Sequence, residues 1–80
     1  MGWPQHDRAT FLSSCLDLAE AQRAAGDERG AKISLRRFYM VRYLDRDPSS
    51  YMGYVETLAF ERWLTADQGI AARARAGGIN

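Results

Sequence analysis

Apolar and polar positions along the chain fall into blocks of helical period separated by short polar breaks. In the first block Phe11, Leu12, Cys15, Leu16, Leu18 and Ala19 recur at helical spacing, while Thr10, Ser13, Ser14, Asp17, Glu20 and Arg23 take the opposite face. Pro4 suits a first helical turn, so the pattern predicts a helix over about 4–25. The run Gly26-Asp27-Glu28-Arg29-Gly30 then breaks it: the first glycine suits a left-handed cap and the second frees the next start.

A second helix is expected over about 31–44, with Ile33, Phe38, Val41 and Leu44 as its apolar face. Leu35, Tyr39, Met40 and Tyr43 spread apolar surface around the rest of its circumference, more than a lone three-helix domain is expected to cover. Asp45-Arg46-Asp47-Pro48-Ser49-Ser50 reads as a loop, because proline disfavours helical geometry in Asp47 and the serines can cap the next helix. A third helix is expected over about 50–64, with a core stripe of Tyr51, Met52, Val55, Leu58, Ala59, the Arg62 stem and Trp63, and with Tyr54 and Phe60 lying off it. Thr65 and Gln68 have capping-box spacing and predict a short fourth helix over about 66–76, before a tail at 77–80. The expectation is one all-α domain spanning residues 1–80, a small bundle completed by partner subunits.

Composition sharpens this picture. In 80 residues there is room for one core and not for most self-contained enzymes, and 12 of the apolar positions are alanine, so the larger core side chains are few. Ten of the 11 basic residues are arginine, with Lys32 the exception, and they nearly balance the acids at a net charge of +1. That balance argues against a polycation built for nucleic acid. A single cysteine forms neither an internal disulfide nor a CxxC metal site. No apolar run reaches bilayer length and no signal-peptide h-region is present, so the chain reads as cytoplasmic, with no membrane and no nucleic acid among its partners.

Little of the conventional catalytic chemistry is offered. His6, the only histidine, sits in the first turn beside Asp7 and reads as a surface residue; Cys15 lies on an apolar stripe and reads as core. Asp27, Glu28, Asp45 and Asp47 neighbour arginines and read as solvated loop charges. Arg36, Arg37 and Arg42 share the second helix with Phe38, Tyr39 and Tyr43, a mixture that suits a solvated face with snorkelling stems, a nucleic-acid helix or a protein interface.

The order Leu35-Arg36-Arg37-Phe38-Tyr39-Met40-Val41-Arg42, then Tyr43-Leu44, Ser50-Tyr51-Met52 and Ala59-Phe60-Glu61-Arg62-Trp63-Leu64, resembles the helical N-terminal region of nitrile hydratase β subunits. Two arginines five apart, here Arg37 and Arg42, and a Gly-hydrophobic pair comparable to Gly69-Ile70 belong to that likeness; Tyr51-Met52-Gly53 echoes the Tyr-Tyr-Gly of thiocyanate hydrolase small subunits. The loop between Arg42 and Tyr51 is shorter than in that family, the Trp-Leu pair comes later, and neither the N-terminal arm nor the C-terminal β-barrel half is present. These departures match the split, three-chain arrangement of toyocamycin-type enzymes.

The resemblance implies a non-metal-binding subunit of an enzyme that hydrates a nitrile to an amide, inactive alone. Its partners would be a metal-bearing α subunit, holding Co(III) or Fe(III) on a cysteine claw with two oxidised sulfurs, and a further small β-like subunit. This chain would bind no metal itself. It implies that Arg37, then Arg36, then Arg42, hydrogen-bond the oxidised sulfurs, since a guanidinium fork matches a pair of anionic oxygens. Phe38, Tyr39, Tyr43, Tyr51, Tyr54, Phe60 and Trp63 are the expected interface or pocket residues. From a different class stands a small helical adaptor or inhibitor acting by protein binding, and behind it a DNA-associated helical regulator.

Overall fold

The computed structural model describes residues 5–65, with side-chain exposure from Asp7 onward. Among the described residues three helices follow one another: α1 (Gln5–Ala24), α2 (Glu28–Tyr43) and α3 (Tyr54–Thr65). The all-α class expected from the periodicity is what the chain adopts. The expected fourth helix over 66–76, its Thr65–Gln68 capping box and the tail at 77–80 lie outside the described residues.

α1 buries Leu12, Cys15, Leu16 and Ala19, spaced three, one and three apart on one face. Leu18, expected on that face, is exposed. The helix ends in a Schellman arrangement: Gly26 adopts φ +83°, its N–H donates to Arg23 O at 3.1 Å, and Asp27 N–H donates to Gln22 O at 2.8 Å. Asp27 is at once the N-cap of α2, its Oδ1 accepting from Gly30 N–H at 2.9 Å. The second helix therefore begins at Glu28, three residues before the expected start, and Gly30 lies inside its first turn.

α1 and α2 form an antiparallel hairpin fastened at both ends. Near the turn, Ser34 Oγ donates to Gln22 Oε1 at 2.7 Å, which satisfies a hydroxyl that is almost fully buried. At the far end Arg8 reaches the carbonyl of Val41 at 2.8 Å.

α2 is the central element. Its buried set is Ala31, Ser34, Leu35, Phe38, Tyr39, Met40 and Val41, and the last four are consecutive. Four consecutive helical positions sweep about 300°, so this stretch is enclosed on every side. Leu35, Tyr39 and Met40, expected to remain as surplus surface, are covered by the chain's own α1, α3 and Met52. Ile33, expected in the core, is instead 43% exposed.

The segment between α2 and α3 is held by its own polar groups. Asp45 takes a left-handed conformation at φ 52°, and Arg46 N–H returns to Met40 O at 2.9 Å. Asp47 Oδ1 accepts from both the N–H and the Oγ of Ser49, an Asx-type turn that holds its carboxyl below the usual range. The expected serine cap at Ser50 is not used. α3 starts four residues later, where Gly53 N–H donates to Glu56 Oε1 at 3.0 Å and Thr57 Oγ1 donates to Gly53 O at 2.9 Å. Arg46 pairs with the same Glu56 carboxylate at 2.6 Å, joining the loop to the helix start.

α3 is rotated from its expected orientation. Of the expected stripe Met52, Ala59 and Trp63 do pack on the core, but Val55 and Leu58 face outward, and Phe60, placed off the stripe by the sequence pattern, is the one fully buried residue of the helix. The reason lies across the interface, where Phe60 and Trp63 meet the rings of Phe38 and Tyr39 on α2.

Candidate functional site

The rings of Phe38, Tyr39, Tyr43, Phe60 and Trp63 form one cluster between α2 and α3. Trp63 contacts the other four, at centroid distances of 5.4 Å to Tyr39, 5.9 Å to Tyr43, 6.0 Å to Phe60 and 6.2 Å to Phe38. Phe38, Tyr39 and Phe60 are buried in this chain's own core, and Trp63 is half-buried against it. Of the aromatic residues expected at an interface or pocket, those left open are Tyr43, Tyr51 and Tyr54.

The three candidate arginines do not converge. Positions five apart on a helix are turned by about 140°, which sends Arg37 and Arg42 to different sides of α2. The Arg42 guanidinium lies over the Tyr43 ring at 5.1 Å. Arg36 lies over Phe60 at 5.4 Å, and Arg37, exposed, borders with it a surface hollow of about 200 Å³ that also touches Pro48, Ser50 and Tyr51. Arg36 and Arg37 thus share a site with Tyr51; Arg42 does not.

Cys15 lies in the core, and burial pushes its thiol up to about 11 against a smaller opposing pull from the Arg37 charge. A thiol so held is protonated at neutral pH and packs as a small apolar group. His6 belongs to the first turn of α1, and its side chain lies outside the described residues. Among the described residues no cluster of three or more His, Cys, Asp or Glu side chains is placed to hold a metal ion, and no helix is long and apolar enough to cross a membrane.

The surface carries a second feature, most of which the sequence pattern had assigned to the core. Tyr51, Val55 and Leu58, expected in the core, and Tyr54, expected off the stripe, follow one another three, one and three apart along the chain and are 86%, 75%, 42% and 77% exposed respectively. They form an apolar stripe on the outer side of α3, continuing into the preceding loop beside the Arg36–Arg37 hollow. Arg8 and Glu56, which hold the helix ends that frame these surfaces, were not singled out by the sequence. Glu56 had a local signal in its position three after Gly53; Arg8 had none, since its acceptors are more than 30 residues away.

Compared with known proteins, the chain matches no family model, no curated protein and no solved structure.

Proposed function

We propose that this chain is a helical subunit that works against a partner protein, and that the partner is the metal-bearing subunit of a nitrile hydratase. The observation that carries the first part is the stripe Tyr51, Tyr54, Val55 and Leu58, a run of exposed apolar and aromatic side chains of the kind that favours protein binding. Tyr51 joins that stripe to the hollow bordered by Arg36 and Arg37, so a partner docked on α3 would lie within reach of both guanidinium groups.

The second part rests on the resemblance of the Arg36–Arg42 and Tyr51–Leu64 segments to nitrile hydratase β subunits. In that reading this chain supplies arginine to the oxidised sulfurs of the partner's claw, with Arg37, the more exposed of the pair, in first place. Bound Co(III) or Fe(III) on the partner would act as a Lewis acid in converting a nitrile to an amide. This chain's own part is to bind, to orient and to shelter.

The test is affinity capture of the full chain from its native host, with mass spectrometry of the companions and metal analysis of the eluate. A claw-bearing companion with stoichiometric cobalt or iron and nitrile-hydrating activity is the expected result. A stable complex free of both metals would replace this reading with that of a helical adaptor, which the same exposed stripe supports.

A further inference from the structure

Two shallow hollows on the outer side of α2 share Ile33 and Arg36, and so run into one another. One, of about 290 Å³, extends toward α3 between Arg29, Lys32 and Phe60. The other, of about 200 Å³, extends past Arg37 to Tyr51. Together they make a furrow whose exposed apolar surface comes from Ile33, 43% exposed, and from Tyr51 at one end, with a strongly basic rim.

The rim charges are not balanced from within. Arg29, Lys32, Arg36 and Arg37 border the furrow against one carboxylate, Glu61. Lys32 meets Glu61 only at 3.9 Å, with both side chains largely in water, and the three arginines have no carboxylate within ion-pair distance among the described residues. Arg29, Lys32 and Arg36 are three and four residues apart, so they make a single row about 10 Å long on α2. A second helix with carboxylates at the same intervals would meet that row in register.

We infer that this furrow binds an acidic amphipathic helix of a partner protein. Its apolar side lies over Ile33 and its Asp or Glu carboxylates lie against Arg29, Lys32 and Arg36. Charge complementarity selects such a segment, and Ile33 and Tyr51 give it apolar surface to bury. A nucleic-acid backbone would use the rim but gain nothing from Ile33, and a chain with a net charge of +1 draws a polyanion weakly. The inference goes beyond the hydratase reading, since it specifies the partner's chemistry whether or not that partner carries a metal.

The experiment is selection from a display library of random peptides long enough to form a helix, with the full chain as bait. Enriched peptides are expected to carry Asp or Glu three and four residues apart beside Leu or Ile. Arg29→Glu combined with Lys32→Glu, two exposed positions, should weaken the best peptide by at least about tenfold, with helical circular dichroism retained. Arg23→Glu, exposed on α1 and not among the residues lining the furrow, should leave binding unchanged. Enrichment of neutral or basic peptides, no enrichment, equal loss in the Arg23 variant, or tighter binding of a labelled oligonucleotide than of the best peptide would each overturn the inference. Acidic peptides selected by a chain that captures no claw-bearing subunit would leave this inference standing and remove the hydratase reading.

Discussion

Arg8, near the start of α1, donates from its guanidinium to the carbonyl oxygen of Val41 at 2.8 Å and to that of Arg42 at 3.4 Å. These carbonyls belong to the last turn of α2, where backbone acceptors lack intrahelical donors and the helix dipole is negative. A single side chain thus caps one helix from the opening turn of another and sets the far end of the hairpin. Replacing it with alanine removes a charge-assisted bond and leaves partly buried acceptors. We expect Arg8→Ala to cost about 1.5 kcal/mol, and Arg8→Lys to recover part of it, in urea denaturation. A loss below about 0.3 kcal/mol would show that the carbonyls are served equally well by water.

Phe60 and Leu58 are two residues apart on α3 and should respond in opposite ways. Phe60→Ala opens a cavity beneath Tyr39 and Trp63 and should cost about 3–5 kcal/mol, enough to leave a domain this small largely unfolded. Leu58→Ser changes an outward-facing side chain and should stay within about 0.5 kcal/mol. Thermal unfolding followed by circular dichroism distinguishes the two, and equal effects would mean that α3 is turned as its hydrophobic pattern alone suggests.

Gly26 has no atom within 4 Å of the place a Cβ would take, so any penalty for substituting it comes from backbone conformation alone. At φ +83° an alanine should cost about 1 kcal/mol, and asparagine less, because its side chain tolerates the left-handed region better. Gly30→Ala differs in kind: its Cβ would collide with the Asp27 carboxylate and the Gln22 amide, disturbing the cap and the bond to Ser34. Denaturation of the two variants separates strain from collision, since only Gly30→Ala should respond to a simultaneous Asp27→Ser change.

The Cys15 thiol gives a pH signature. Its value in the fold, about 11, lies above the ordinary 9.0, so the unfolded chain releases this proton first as pH rises. The contribution is complete below about pH 9 and declines toward pH 11. Cys15→Ala should flatten that alkaline loss of stability. In the native chain at neutral pH a maleimide should label Cys15 slowly, and in denaturant rapidly; fast native labelling would place the thiol at the surface.

Within the proposed complex, Arg37→Lys keeps the charge but loses the planar fork, and should abolish nitrile hydration while assembly persists. Steady-state turnover together with size-exclusion chromatography reads both. Turnover unchanged in Arg37→Lys and in Arg36→Lys would remove the arginines from the chemistry.

Local rules carried much of this protein. The intervals of Leu12, Cys15, Leu16 and Ala19 are enough to write α1 with its buried face, and the Gly26 break follows from a left-handed cap that glycine adopts without strain. The burial of Cys15 was legible for the same reason. Periodicity does not contain which of two apolar arcs finds a neighbour. On α3 the expected stripe ran through Val55, Leu58, Ala59 and Trp63; Trp63 does pack inward, but Phe60, expected off the stripe, takes the buried place and Val55 and Leu58 do not, because α2 offers Phe38 and Tyr39 to receive the rings.

The same limit governs the arginines and the helix ends. Sequence placed Arg36, Arg37 and Arg42 on one helix; the folded chain divides them between the α2 furrow and the Tyr43 ring. It also brings Arg8 to Val41 across 33 positions, a pairing with no local trace. Helical geometry is set by neighbours three and four residues away and is therefore written in the chain. The choice of face, and of which charges share a surface, is set by contacts between elements, and it exists only once the helices have packed.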